Sequence, residues 1–131
     1  MIGLDTNVLI RYFTRDDQIQ SARATKIMEH GLSLDEPGFV SVVVMAEMAW
    51  VLKGTYAQTN EEIAQAIERM LQADTLVVQN EQQVFEATVA LKSGRASFAD
   101  ALVGALGRWA GCVSTVTFDK RAARLKEFEL V

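Results

Sequence analysis

Much that would classify this chain at a glance is missing from it. Its 131 residues include one cysteine, Cys112, so there is no internal disulfide framework, and this fits a reducing compartment. The single histidine, His30, argues against a zinc site, which ordinarily takes several Cys or His ligands. The one proline, Pro37, lies in the turn-like run Asp35-Glu36-Pro37-Gly38. The longest nearly apolar stretch, Gly38 to Leu52, is interrupted by Glu47 and is shorter than the about 20 residues a membrane span requires. The opening Met1-Ile2-Gly3-Leu4-Asp5 carries neither a basic lead nor a cleavage signature, so the expectation is a cytoplasmic protein with no secretory signal and no membrane contact. No linker, internal repeat or low-complexity run is visible. There is no Walker loop, no Gly-x-Gly-x-x-Gly and no Gly-x-Ser-x-Gly.

What is present is the composition of a single globular domain spanning 1–131: 50% hydrophobic residues, 23% charged. The net charge of −4 has the wrong sign for a conventional nucleic-acid binder. Net charge is a sum, however, and one local acidic site can dominate it.

Short β-rich runs alternate with helical patterns. Ile2-Gly3-Leu4 reads as a strand, and helices follow over about Thr6–Thr14 and from Asp16 or Asp17 to Gly31. Phe39–Val42 reads as a strand or strand-like entry into a buried helix from Val43 to Lys53. Thr59-Asn60-Glu61-Glu62 is a capping-box signature, and Ile63, Ile67, Met70 and Leu71 fall on one face behind it. Leu76–Val78 is a strand. Asn80 with Gln83 starts a helix with Val84, Ala87, Thr88 and Leu91 on one stripe. A further helix spans Ser97–Ala110, a strand Val113–Phe118, a short basic helix about Lys120–Lys126, and a last strand Phe128–Val131. The alternation predicts an α/β fold with a central, mostly parallel sheet, in which ligands bind beyond the carboxyl ends of the strands.

Four of the 17 acids sit in apolar sequence company: Asp5 after Ile2-Gly3-Leu4, Glu47 within Val42–Leu52, Asp100 within Phe98–Leu106, and Asp119 after Val113–Phe118. A buried carboxylate without a partner is costly. No Lys or Arg lies within a helical turn of Glu47 or Asp100, so a cation from outside the chain is the expected balance, and carboxylate oxygens suit Mg²⁺ or Mn²⁺. Each acid also has a plainer reading. Asp5 and Asp119 are placed to cap helices, Asp100 to sit in a first helical turn, and Glu47 to be the one solvated position of its helix. Cys112, entering a strand, reads as core.

These residues carry a resemblance. Leu4-Asp5-Thr6-Asn7-Val8-Leu9, Glu47-Met48-Ala49-Trp50-Val51-Leu52, Phe98-Ala99-Asp100-Ala101-Leu102 and Thr115-Val116-Thr117-Phe118-Asp119-Lys120 resemble the motifs of PIN-domain ribonucleases, specifically the VapC-type toxins of bacterial toxin–antitoxin pairs. The order of the acids and their separations of 42, 53 and 19 residues agree with that family. The resemblance implies a three-layer α/β/α fold, Mg²⁺- or Mn²⁺-dependent endoribonuclease activity, inhibition by a cognate antitoxin, and a homodimer. It implies a metal held by Asp5, Glu47 and Asp100, with Asp119 completing the acidic pocket and Asn7 and Thr117 orienting ligands or water. Lys120, Arg121 and Arg11 are candidates for holding RNA phosphates. Two other readings stand beside this one: a non-toxin PIN nuclease of RNA processing, and a non-catalytic RNA- or protein-binding module of the same fold. An aspartate-nucleophile phosphatase would want Asp-x-Asp, but Asn7 occupies the second position.

Overall fold

The computed structural model describes all 131 residues. Five strands and six α-helices alternate: β1 (Ile2–Gly3), α1 (Thr6–Thr14), α2 (Gln18–Lys26), β2 (Gly38–Val40), α3 (Val42–Gly54), α4 (Asn60–Gln72), β3 (Leu76–Val78), α5 (Glu81–Lys92), α6 (Phe98–Trp109), β4 (Thr115–Thr117) and β5 (Phe128–Leu130). Every strand pairing is parallel, as crossover helices require. β1, β2 and β3 form one sheet with β2 in the centre, and β4 and β5 form a second, two-stranded one. The α/β class is therefore as expected, with the strand layer divided rather than continuous. With two residues in β1 and three in β4, neither strand is long enough to extend a ladder far.

Local sequence explains most of the boundaries. Thr59 and Glu62 make the complete capping box: the Thr59 hydroxyl accepts from the Glu62 N–H at 3.1 Å, and the Glu62 carboxylate accepts from the Thr59 N–H at 3.0 Å. Ser97 caps α6 by accepting from the Asp100 N–H. Ser41 is a cap rather than a strand residue. Its hydroxyl accepts from the Val44 N–H at 3.2 Å, so the chain turns from β2 into α3 one residue earlier than hydropathy alone indicates.

Three expectations shift. Asn80 stands before α5 in the left-handed region, φ 52°, and makes no side-chain cap. The helix expected to reach Gly31 ends at Lys26 and continues as one π-helical turn over Ile27–Gly31. The basic helix near the C-terminus shrinks to a 3₁₀ turn, Ala122–Arg124, anchored by buried Ala122 and Leu125.

The core joins α1, α3, α4 and α5 around Leu9, Met45, Met48, Leu52, Ile63, Ile67, Met70 and Val84, all essentially without solvent contact. Gly38 lies close against its neighbours: a Cβ there would lie 2.7 Å from Leu4 Cδ1 and 3.0 Å from Leu32 Cδ1, so any larger residue would require these leucine side chains to shift. α6 packs on α5 and α3, and its Gly104 allows Phe128 of β5 to lie against the helix. No helix is long and apolar enough to cross a membrane.

Candidate active site

Asp5 stands one residue beyond β1, after Leu4, at the carboxyl end of a parallel strand. It is the N-cap of α1, with an extended backbone and with Oδ1 accepting from the Thr6 N–H at 2.8 Å. Thr6 is buried, and its hydroxyl donates to Glu47 Oε1. One residue thus ties together two acids that lie 42 positions apart in the chain. α1 packs against α3, which makes this contact possible.

Glu47 does not lie in the core, as its sequence neighbours suggest. It is exposed, as are Asp5 and Asp119, while Asp100 is half-buried. Helical periodicity is the reason for Glu47. Val43, Glu47 and Trp50 recur at four and three residues on one stripe of α3, and that stripe faces solvent with Val43 and Trp50 each 73% exposed. Apolar sequence company therefore did not mean apolar surroundings, and the desolvation expected of these carboxylates is absent for three of the four. Cys112 is likewise exposed rather than core.

Asp100 occupies the first turn of α6 and its carboxylate has no hydrogen-bond or ion-pair partner within the chain. Asp119 follows β4. Its N–H donates to the Thr117 hydroxyl at 3.0 Å and its Oδ1 accepts from the Arg121 N–H at 2.8 Å, so Thr117 shapes the turn that presents Asp119. β4 follows α6 after the short Ala110–Ser114 connection and packs against it.

None of the four acids is ion-paired, and each keeps at least one oxygen without a hydrogen bond. In kind, these donors suit a hard divalent cation. In arrangement, Asp5 and Glu47 are joined through Thr6, while no group of three or more His, Cys, Asp or Glu side chains is gathered tightly enough to share one ion.

The residues expected around the acids divide. Asn7 is exposed on α1 and lines a small hollow with Arg11, Gln20 and Arg23. Lys120 and Arg121 are exposed and have no ion pair. Arg11 is occupied elsewhere. Its Nε donates to Gln20 at 2.7 Å, and its Nη1 donates to Asp16 at 3.0 Å and to the Tyr56 hydroxyl at 3.1 Å. Desolvation works against the Arg11 charge, but Asp16 and Tyr56 outweigh it and hold the guanidinium pKa above its ordinary value. Arg11 is thus a clamp between α1, α2 and the loop after α3. Thr6 is the residue that sequence reasoning passed over, and its only signal was its place between Asp5 and Asn7.

The model of the PIN domain family matches residues 2–128, nearly the whole chain. The chain belongs to the PIN domain family. No curated protein matches it significantly. PIN domains are generally nucleases, and PIN nucleases generally use divalent metals. The PIN assignment gives the acids their context: Asp5 and Glu47 are linked at the carboxyl edge of the first strand, where parallel α/β sheets place their ligands.

Proposed function

We propose that this PIN domain is a Mg²⁺- or Mn²⁺-dependent endoribonuclease, the toxin of a cytoplasmic toxin–antitoxin pair of the VapC type. The observation that carries the nuclease reading is the link from Asp5 through Thr6 to Glu47 in a chain matched to the family from end to end. Asp5 and Glu47, joined through Thr6, would hold the metal, and Asp100, with Asp119 directly or through water, would have to draw in to complete the set, since no three of these acids are gathered around one point. A bound divalent ion supplies a water of lowered pKa as nucleophile and neutralises charge on the phosphate oxygens.

The chain's own residues do the rest. Thr6 fixes one Glu47 oxygen and leaves the other free to bind. The α1 N-terminus holds Asp5 Oδ1 and leaves Oδ2 free. Thr117 sets the turn that presents Asp119, and Asn7, two residues from Asp5, is a neutral amide for orienting water or a phosphate oxygen. Lys120 and Arg121 flank Asp119 with unpaired charges that can hold RNA phosphates.

The toxin part of the reading is supported by the exposed apolar side chains Val43 and Trp50 on either side of Glu47 and by the hollow beside Trp50, about 210 Å³, lined by Trp50, Ile63, Leu91 and Phe98. An apolar surface next to an acidic site suits an inhibitory antitoxin. Homodimerisation is part of the same proposal.

Total cellular RNA incubated with Mg²⁺, Mn²⁺ or chelator, followed by end mapping, tests the chemistry. Hydrolysis by water, as a bound divalent ion would support, should leave a 5′-phosphate, and a 2′,3′-cyclic phosphate would overturn the mechanism. Cleavage that no co-encoded small protein suppresses would turn the reading to a PIN nuclease of RNA processing. Binding of RNA without any cleavage would turn it to a non-catalytic module.

A further inference from the structure

Helices α5 and α6 and the segment 124–127 enclose a cleft of about 560 Å³. Four cations line it, Arg95, Arg108, Arg124 and Lys126, against two carboxylates, Glu86 and Glu127. This local excess is opposite in sign to the −4 of the whole chain. Like charges gathered in one concavity repel each other and focus a positive potential, which an anion from outside relieves.

Only Arg108 is neutralised from within: its Nη2 lies 2.7 Å from both Glu86 carboxylate oxygens. Arg95 directs its Nε to the Ser93 hydroxyl at 2.8 Å and has no acidic partner. Arg124 and Lys126 make neither an ion pair nor a side-chain hydrogen bond. Three cations in the cleft therefore have no ion pair, although Glu127 stands among them and Lys126 lies near enough to Glu86 to help lower its carboxyl pKa.

An aromatic ring accompanies them. Phe85 lines the same cleft and is 53% exposed, an expensive position for a phenyl group unless something stacks on it. A cationic groove bearing an open aromatic face is the combination that holds a single strand of nucleic acid without reading its sequence, with phosphates on the cations and a base on the ring. The α6 wall of the cleft is the stripe Ala101, Ala105 and Arg108, which begins at the residue after Asp100.

We infer that this cleft binds single-stranded RNA, holding backbone phosphates on Arg95, Arg124 and Lys126 and a base on Phe85, and leads the strand along α6 to Asp100. The last step rests on the nuclease reading above, while the binding itself does not.

The test is fluorescence anisotropy on the full chain in chelator, where no metal-dependent cleavage occurs, with a labelled oligouridylate of about 12 nucleotides. Arg124→Glu with Lys126→Glu should weaken binding about ten-fold or more. It should also flatten the plot of log affinity against log salt by about 1.4, the value for two phosphate contacts on a single strand. Phe85→Ala should weaken binding by roughly five-fold or more and leave that slope unchanged, because stacking releases no counterions. The milder pair Arg124→Gln with Lys126→Gln, checked by circular dichroism, replaces the charge reversal if that variant is misfolded. Unchanged affinity and slope in the charge variants would overturn the inference. So would tighter binding of a labelled polyglutamate than of the RNA, which would point to an acidic protein. A wild-type protein that binds the oligonucleotide but never cleaves RNA in Mg²⁺ or Mn²⁺ would overturn the nuclease reading and leave the binding cleft standing.

Discussion

The Thr6 hydroxyl donates to the Glu47 carboxylate, linking the first residue of α1 to the second turn of α3. Thr6 is buried and Glu47 is exposed, so the bond runs from the core outward and fixes one oxygen of an otherwise mobile side chain. The same residue gives its N–H to Asp5. Thr6 is therefore the positioning residue of the two acids, and its removal should act through both of them.

Thr6→Val keeps the shape and deletes the hydroxyl. A hydrogen bond to a charged group contributes about 1.5–3 kcal/mol, less at a partly exposed acceptor, so the expected loss is about 1 kcal/mol, or a fall in Tm of roughly 5 °C. The Mg²⁺ concentration giving half-maximal cleavage should rise more than kcat falls, and Thr6→Ser should restore it. Cleavage assays across a Mg²⁺ titration check this. An unchanged metal requirement would remove the positioning role.

Asp5→Asn should abolish cleavage with little change in Tm measured in chelator, because asparagine caps a helix about as well as aspartate. Asp5→Ala should cost about 1 kcal/mol in addition, since the α1 cap is lost. Asp100→Asn removes no internal partner and should leave the metal-free Tm unchanged or higher, again without activity. A large fall in chelator for either Asn variant would make that acid structural, and differential scanning fluorimetry distinguishes the cases.

Divalent ion should stabilise the wild type by mass action, by about 2.7 kcal/mol at a hundred times its Kd. Asp5→Asn and Asp100→Asn should each lose most of the rise in Tm on adding Mn²⁺, while Glu36→Gln, whose parent carboxylate pairs with the N-terminal amine, should keep it. Equal shifts in all three would place the ion elsewhere on the surface.

Glu86 provides a pH prediction away from the acidic site. Desolvation pushes its carboxyl pKa upward, but the hydrogen bonds from Arg108 and the Trp109 indole outweigh it, and the folded value lies below the ordinary 4.5. The unfolded chain then binds more protons than the folded one in this range. The stabilisation is complete above the ordinary value and is lost as pH falls through the depressed one. Thermal unfolding followed between pH 6 and about pH 3 should show a steeper acid loss for the wild type than for Glu86→Gln. Trp109 emission, which senses the same contact, should change over the same interval.

The amino-acid sequence by itself determined the succession of elements. Thr59 with Glu62 is a capping box in sequence and in structure, and the stripe Val84, Ala87, Thr88 and Leu91 is buried as its spacing requires. These are interactions within one turn of chain, where spacing alone fixes who meets whom. The sequence also named Asp5, Glu47, Asp100 and Asp119 by their incongruous neighbours. It could not tell which way a helix turns its faces. α3 is apolar nearly all round, so only its packing on α1, α4 and α6 decided that Val43, Glu47 and Trp50 face water. Tertiary structure likewise drew Thr6 to Glu47, committed Arg11 to Asp16 and Tyr56, and assembled Arg95, Arg108, Arg124 and Lys126 in one cleft. Contacts of that kind depend on how helices dock, and docking is set by the summed shape of many side chains rather than by any local run of them.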